Sequence, residues 1–172
     1  SRQQTGFEDV NAFYHINRQQ QHVQGIGFTN LANYQIWVDP HALNNQDNSM
    51  FSNSFTPGRL MFGQGGVDDA EDADVIIHEY GHAISSSAAP NTNTGTQRQA
   101  LDEANCDYFA GSYSHTISPF KWEWVFSWDG HNQYWGGRSV QSSKAYPGSL
   151  KNDLYIDAEI WSSTMMQIYF SI

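Results

Sequence analysis

The chain has 172 residues, enough for one domain with a sizeable core, and an aromatic content of 15% gives that core bulk. A net charge of −10 argues against a nucleic-acid surface, because phosphate binding needs a surplus of Lys and Arg. No apolar run approaches the roughly eighteen residues a membrane span needs, nothing implies an oligomer, and the lone Cys106 cannot form an internal disulfide and is expected to pack rather than react.

In chain order, Phe7, Val10, Phe13, Tyr14, Asn17 and Val23 recur as the apolar face of a first amphipathic helix, with Gln19 to Gln21 forming a solvated face at its end. Tyr34 to Asp39 alternates as a strand stopped by Pro40, and further strands are expected near Asn48 to Asn53 and Arg59 to Gly63. Asp72-Ala73-Asp74 then supplies helix-start chemistry, and Val75, Ile76 and Ile77 run into His78-Glu79-Tyr80-Gly81-His82. Two imidazoles four positions apart share one helix face, where each can offer a ring nitrogen to the same zinc ion. Glu79 lies between them, placed to act as the base of a zinc hydrolase. The plainer alternative is an amphipathic helix whose histidines are merely exposed or hydrogen-bonded.

After a turn-rich break from Ser85 to Thr96, Gln97 to Ser112 reads as a second helix, with Ala100, Leu101, Ala104, Tyr108 and Phe109 at helical spacing. Glu103 and Asp107 fall one turn apart on it. A two-His, one-Glu zinc site needs such an anionic third ligand from a separate helix, with the fourth position left to water. Asp107 would accept the free N–H of a ligating histidine and fix its tautomer. Alone, such a pair would be a solvated acidic face. Phe120 to Trp128 alternates aromatic and other residues like a strand; packing is the better reading of that strip, a carbohydrate platform the other. Asp129 to Leu150 is rich in Gly, Ser, Gln and Pro and suits a cleft wall, and a last helix begins near Asp153. With no repeat and no long linker, residues 1–172 read as a single catalytic domain, with a sheet-containing part to about residue 70 and a helical part after it.

The pentapeptide His78 to His82 followed by Asp102-Glu103-Ala104-Asn105-Cys106-Asp107 resembles the gluzincin metallopeptidases of the thermolysin and fungalysin type, thermolysin being the reference case of a two-His, one-Glu zinc site. The metzincin pattern is absent, since no Gly and His follow His82 at that group's spacing. The resemblance implies a zincin-like α+β fold. Its parts would be an N-terminal helix, a mixed or antiparallel sheet whose edge strand lies over the cleft, the His-Glu-x-x-His helix at the centre, and a mostly helical C-terminal half. It further implies one catalytic zinc, a polypeptide substrate, and a secreted or cell-surface location, with the sequence read as a processed or trimmed catalytic core.

Several residue roles come from the same likeness. Asn48-Ser49-Met50-Phe51 and Arg59 to Gly65 resemble the family's edge strand and the strand that returns to a Gly-rich turn, so that Asn48 and the backbone of Ser49 would grip the substrate main chain; an ordinary surface loop is the alternative. Trp122-Glu123 and Arg138-Ser139 resemble the segment whose arginine hydrogen-bonds the substrate carbonyl past the scissile bond; a solvated surface charge is the alternative. Tyr155 stands where the family carries an oxyanion-stabilising histidine. A phenol can donate a hydrogen bond there but brings no full positive charge, and the alternative is a helix aromatic that packs. Of the positions matching the family's double calcium site, Asp74 and Glu123 are acidic whereas Ser114, Lys121 and Phe126 are not, so that site is expected to be absent and Asp74 to serve the helix dipole.

The expected chemistry is peptide hydrolysis, with His78, His82 and Glu103 holding zinc, Glu79 as general base, and Arg138 and Tyr155 steadying the oxyanion. Two other classes remain open: a catalytically weakened zincin-fold domain that binds peptides, suggested by Tyr155 and the short connecting region, and a metal-free carbohydrate-binding or adhesive module, suggested by the tryptophan-rich strip.

Overall fold

The computed structural model describes residues 6–128 and 137–172. Those residues form an α+β structure in the order α1 (Phe7–Gly25), β1 (Trp37–Asp39), β2 (Met50–Ser52), β3 (Arg59–Met61), a 3-10 turn (Asp69–Glu71), α2 (Ala73–Ala88), α3 (Thr96–Ile117), β4 (Trp124–Val125), β5 (Arg138–Ser139) and α4 (Leu154–Tyr169). No described helix is long and apolar enough to cross a membrane.

Helix α1 begins after Gly6, whose positive φ of 96° suits a residue without Cβ. Its inward face differs from the expected one. Val10 and Phe13 are 68% and 70% exposed and Tyr14 is exposed as well, while Ala12, Ile16, Gln19 and Val23 are buried. The small Ala12 and the branched Ile16 and Val23 give a narrower face that sits close to the sheet and α2. Of the glutamines expected in solvent, Gln21 is exposed, but Gln19 is buried and Gln20 turns inward to partners, donating to the Leu31 carbonyl at 2.9 Å and accepting from the Tyr80 hydroxyl at 2.7 Å.

The three-stranded sheet has the order β1-β3-β2, with β1 parallel and β2 antiparallel to β3. Leu60, fully buried at its centre, pairs with Val38 on one side and Phe51 on the other. All three strands are shorter than the alternation suggested, and β2 is an edge strand. Gly63 and Gly65 explain how the chain before β2 is held. A Cβ on Gly63 would lie 1.9 Å from the Gln46 carbonyl oxygen and one on Gly65 2.6 Å from that of Asn45, so the two backbones touch only because side chains are missing.

Asp72 caps α2, accepting the Asp74 N–H at 2.8 Å, as the sequence led one to expect. From Asp74 to Ile84 every residue of α2 except His82 is buried. Val75, Ile76, Tyr80, Ala83 and Ile84 join a cluster with α1 and the sheet, and Ile77 joins a second with Ala110, Tyr113, Val125, Val140 and Met166. The helix therefore runs between two apolar bodies. Helix α3 outlasts its expected end at Ser112 because Tyr113, also buried, extends its packing face.

The aromatic strip is a strand only at Trp124–Val125, because Lys121 and Phe126 adopt positive φ (57° and 65°) and break the extended run on both sides. Trp122 packs edge-on against His115 and Phe170, with ring centres 4.8 and 5.4 Å away. Of the expected loop from Asp129 to Leu150, residues 129–136 lie outside the described residues, and the remainder contains the short β5. Asp153 caps α4 through the N–H groups of Tyr155 and Ile156.

Candidate metal centre

Helices α2 and α3 meet closely at Gly81 and Cys106. A Cβ on Gly81 would stand 2.9 Å from Cys106 Sγ and 3.1 Å from its Cα, so the third residue after His78 must be small for the helices to meet. Their contact sets the face carrying His78 and His82 against the face carrying Asp102, Glu103 and Asp107.

Each imidazole is held by a carboxylate of α3. His78 Nδ1 lies 2.9 Å from Asp107 Oδ1, and His82 Nδ1 lies 2.8 Å from Asp102 Oδ2. With Nδ1 serving as donor to an acid, Nε2 is left with its lone pair outward. Both Nε2 atoms face one carboxylate: His78 Nε2 is 3.2 Å from Glu103 Oε2 and His82 Nε2 is 3.5 Å from Glu103 Oε1. These two separations are close to the ~3.3 Å that lies between two ligands bound tetrahedrally at about 2.0–2.1 Å. Cys106 also brings a possible ligand atom within 4.8 Å of the two histidines. It is the poorer third donor, since burial pushes its thiol well above the usual range, with Asp102, Glu103, Glu79 and Asp107 adding to the effect. Glu103 lines the cleft in front of the histidines and Cys106 does not.

The electrostatics favour positive charge between the helices. Burial opposes protonation of His78, yet the hydrogen bonds to Asp107 and Glu103 outweigh it and raise the imidazole to about 9. Burial likewise opposes ionisation of Asp107, but Arg138 and His78 hold it down at about 2. Against the same opposition from burial, Glu103 is lowered by His78, His82 and Arg138, and Asp102 by its bond to His82. A field that strengthens a proton's hold on an imidazole also favours any cation placed there.

Arg138 sits on β5 and grips Asp107 with a two-pronged bond, Nε to Oδ2 and Nη2 to Oδ1, each 2.7 Å. Its guanidinium lies over the rings of Phe126 and Tyr155 at 4.8 and 4.9 Å and stands 3.6 Å from Glu103. Two of its donors are thus spent inside the protein, on the carboxylate that orients His78. Tyr155, at the start of α4, is half exposed and faces the cleft. Its alternative as a packed helix aromatic holds only in part, since the ring meets the Arg138 guanidinium while half of the residue stays exposed.

No match came from protein-family models, from curated proteins or from solved structures.

His78, His82, Asp102, Glu103, Arg138 and Tyr155 open on one cleft of about 820 Å³. Glu79, Asn48 and Ser49 line it with the histidines, and the β2 edge runs along it through Met50 and Phe51. The Ser49 hydroxyl donates to Asp69 Oδ2 at 2.5 Å. Sequence reasoning missed Asp69, whose carboxyl burial raises to about 6, and it missed Asp102, which also accepts from Asn93 Nδ2 at 3.0 Å. The only available signal for Asp102 was its place beside Glu103.

Asp74 does more than complement a helix dipole. It is buried, accepting the Ser114 hydroxyl and the Phe126 N–H, the latter at 3.3 Å, so it ties α2 to α3 and to the turn after β4. Burial, then the neighbouring Asp72, raises its carboxyl above the ordinary range.

Proposed function

We propose that this chain is a zincin-fold, zinc-dependent endopeptidase, with the ion held by His78, His82 and Glu103 and with polypeptide as substrate. One observation carries the reading: two imidazole Nε2 atoms, their tautomers fixed from behind by Asp107 and Asp102, converge on one carboxylate at 3.2 and 3.5 Å. Zinc bound there would supply Lewis acidity, acidifying a water and polarising the scissile carbonyl. Glu79, adjacent to His78 and facing the same cleft, takes the proton of the attacking water and passes it to the leaving amine. The edge of β2, unpaired among the described residues, offers main-chain N–H and C=O groups to an extended peptide, and Asn48 extends that edge with a side-chain amide. Arg138 acts through Asp107, fixing the acid that orients His78. Tyr155 is the candidate oxyanion donor.

The weakened, peptide-binding version of this reading has one observation in its favour: Arg138 spends two donors on Asp107, which leaves the neutral Tyr155 hydroxyl as the main group for the oxyanion. Zinc stoichiometry on the purified chain, with casein cleavage assayed with and without a chelator, tests both. One zinc per chain with chelator-sensitive cleavage is expected. Glu79→Gln should then keep the zinc and lose turnover by ~10³-fold or more. Full activity in that variant removes Glu79 as base, zinc without cleavage selects the peptide-binding version, and a chain that takes up no zinc refutes both.

A further inference from the structure

Beside the cleft, the first turns of α3 and of α4 border a second, smaller cavity of about 280 Å³. Its wall is largely apolar. Ala100 and Leu101 come from α3, Leu150 from the loop before α4, and the rings of Tyr146 and Trp161 stand with centres 6.0 Å apart at a tilt of 39°. One acid lies among them. Asp157, one turn into α4, is only 2% exposed. Its Oδ1 accepts the Lys151 N–H at 2.7 Å, while its Oδ2 is buried with no hydrogen-bond partner among the described residues. The neighbouring basic side chains are engaged elsewhere. Arg98, which lines both this cavity and the cleft, turns Nη1 to Asp102 at 3.5 Å and Nη2 to Thr92 at 3.4 Å, and Lys144 is bonded to Glu159 at 2.7 Å. A carboxylate oxygen buried without a donor is destabilising, so a cavity that keeps one suits a ligand that brings the donor with it.

We propose that this cavity binds a primary ammonium carried on a short hydrocarbon chain, the group borne by small aliphatic amines and by lysine side chains. An ammonium has three donors, no acceptor and a full positive charge, which is what Asp157 Oδ2 lacks. The hydrocarbon chain then lies against Ala100, Leu101 and Leu150, where water is displaced from apolar surface. Tyr146 and Trp161 are both partly exposed, and their ring faces attract a cation that passes within about 6 Å of the ring centres. A neutral alkyl group would leave the carboxylate unpaired and an anion would be repelled by it, so the same acid discriminates against both. Pockets for drug-sized ligands run to roughly 300–1,000 Å³, and this smaller one suits a chain of about four carbons. The site uses none of His78, His82, Glu103 or Glu79, so the inference stands whether or not the catalytic reading does.

The test is calorimetric titration of the full chain with n-butylammonium chloride at about pH 7, fixed ionic strength and equimolar zinc, with n-butanol and sodium butyrate as the neutral and anionic counterparts. One binding event with a Kd of ~1–10 mM is expected for the amine, and affinity at least ~10-fold weaker for the alcohol and the acid. Asp157→Asn keeps an acceptor for the Lys151 N–H and removes the charge, so it should weaken the amine ~10-fold or more. A wild type that binds no amine, or binds n-butanol as tightly, overturns the inference. So does an Asp157→Asn variant with undiminished affinity, which would place the amine elsewhere on this acidic chain. Should that variant fail to fold, Trp161→Ala decides: affinity lowered ~3-fold or more supports the site, and unchanged affinity overturns it. Nα-acetyl-lysine N-methylamide, titrated in parallel, separates the two sources. Binding that is lost in Asp157→Asn assigns the cavity to a polypeptide lysine, binding of n-butylammonium alone assigns it to a free amine, and binding of neither overturns the inference.

Discussion

Replacing Asp107 by Asn probes the centre with almost no change of shape. Asp107 is fully buried and holds three bonds, one to His78 Nδ1 at 2.9 Å and two to Arg138 at 2.7 Å. Asn keeps one acceptor and turns the other position into a donor, so at least one N–H of Arg138 or His78 loses its partner, and among the described residues Glu103, at 3.6 Å, is left to balance the guanidinium. Breaking a buried pair from one side costs ~3–5 kcal/mol, and the low end applies because the amide still accepts one bond. An independent figure comes from the acid itself: holding its carboxyl at about 2 against an ordinary 3.8 corresponds to ~2 kcal/mol of stabilisation. A loss of ~2–3 kcal/mol lowers Tm by ~4–12 °C in a chain of this size. Loosening His78 should also weaken zinc binding by 10- to 100-fold, on the order seen when the hydrogen-bond partner of a metal-bound histidine is lost. Thermal melting and competition with a chromophoric chelator measure the two effects. A variant that melts within ~2 °C of wild type and holds zinc as tightly would refute the claim that Asp107 organises the centre.

Other outcomes follow from single contacts. Gly81→Ala forces a Cβ to 2.9 Å from Cys106 Sγ and 3.1 Å from its Cα, a backbone atom that cannot swing aside, so the variant should lose ~1–3 kcal/mol and bind zinc more weakly; a melt like wild type's means the helices separate freely. Tyr155→Phe keeps the ring against Arg138 but removes the hydroxyl, and cleavage should fall by ~10²-fold at unchanged zinc content, while an unchanged rate assigns Tyr155 to packing alone. His15, bonded to the Tyr113 hydroxyl at 2.7 Å, is lowered from 6.5 to about 4 by burial and then by Arg18. The unfolded chain therefore binds that proton more readily between those values, so stability rises with pH from about 4 to 6.5 and is lost as pH falls. Urea midpoints across that range should flatten in His15→Gln, and an unaltered slope removes His15 as the cause.

The order of helices and strands was legible because period carries it: Val75 to Ile77 before His78, Leu101 to Phe109 at helical spacing, Val38 and Leu60 in short alternating runs. Facing was not. The most apolar stripe of α1, with Val10, Phe13 and Tyr14, points outward, because which side of a helix is buried depends on the shape of the partner as well as on hydrophobicity. Strand length failed for a related reason, since nothing in Phe120 to Trp128 announces that Lys121 and Phe126 will take positive φ. Within the centre, Glu103 and Asp107 were readable as a one-turn pair on a helix. Asp102 was not, for its bond to His82 depends on how far α3 is rotated about its axis, and Gly81 against Cys106 fixes that rotation only in three dimensions.

The centre and the edge of the cleft are mechanically joined through a short stretch of backbone. Asp69 receives the Ser49 hydroxyl beside the edge strand and, through its N–H, bonds the Gly63 carbonyl at 3.1 Å. Its two successors in the turn, Ala70 and Glu71, are held by Asn11 of α1, and the next residue, Asp72, caps the helix that carries His78. Four consecutive residues thus link the strand edge, the first helix and the histidine helix by side-chain or carbonyl bonds. A displacement of α1 must either break the Asn11 bonds or carry the turn with it, and with the turn go the cap of α2 and the partner of Ser49. The placement of the β2 edge and that of the histidines on α2 are therefore not independent. Asn11→Ala, which removes both bonds to the turn, is expected to loosen the two together and lower Tm, and a variant that melts like wild type breaks this link.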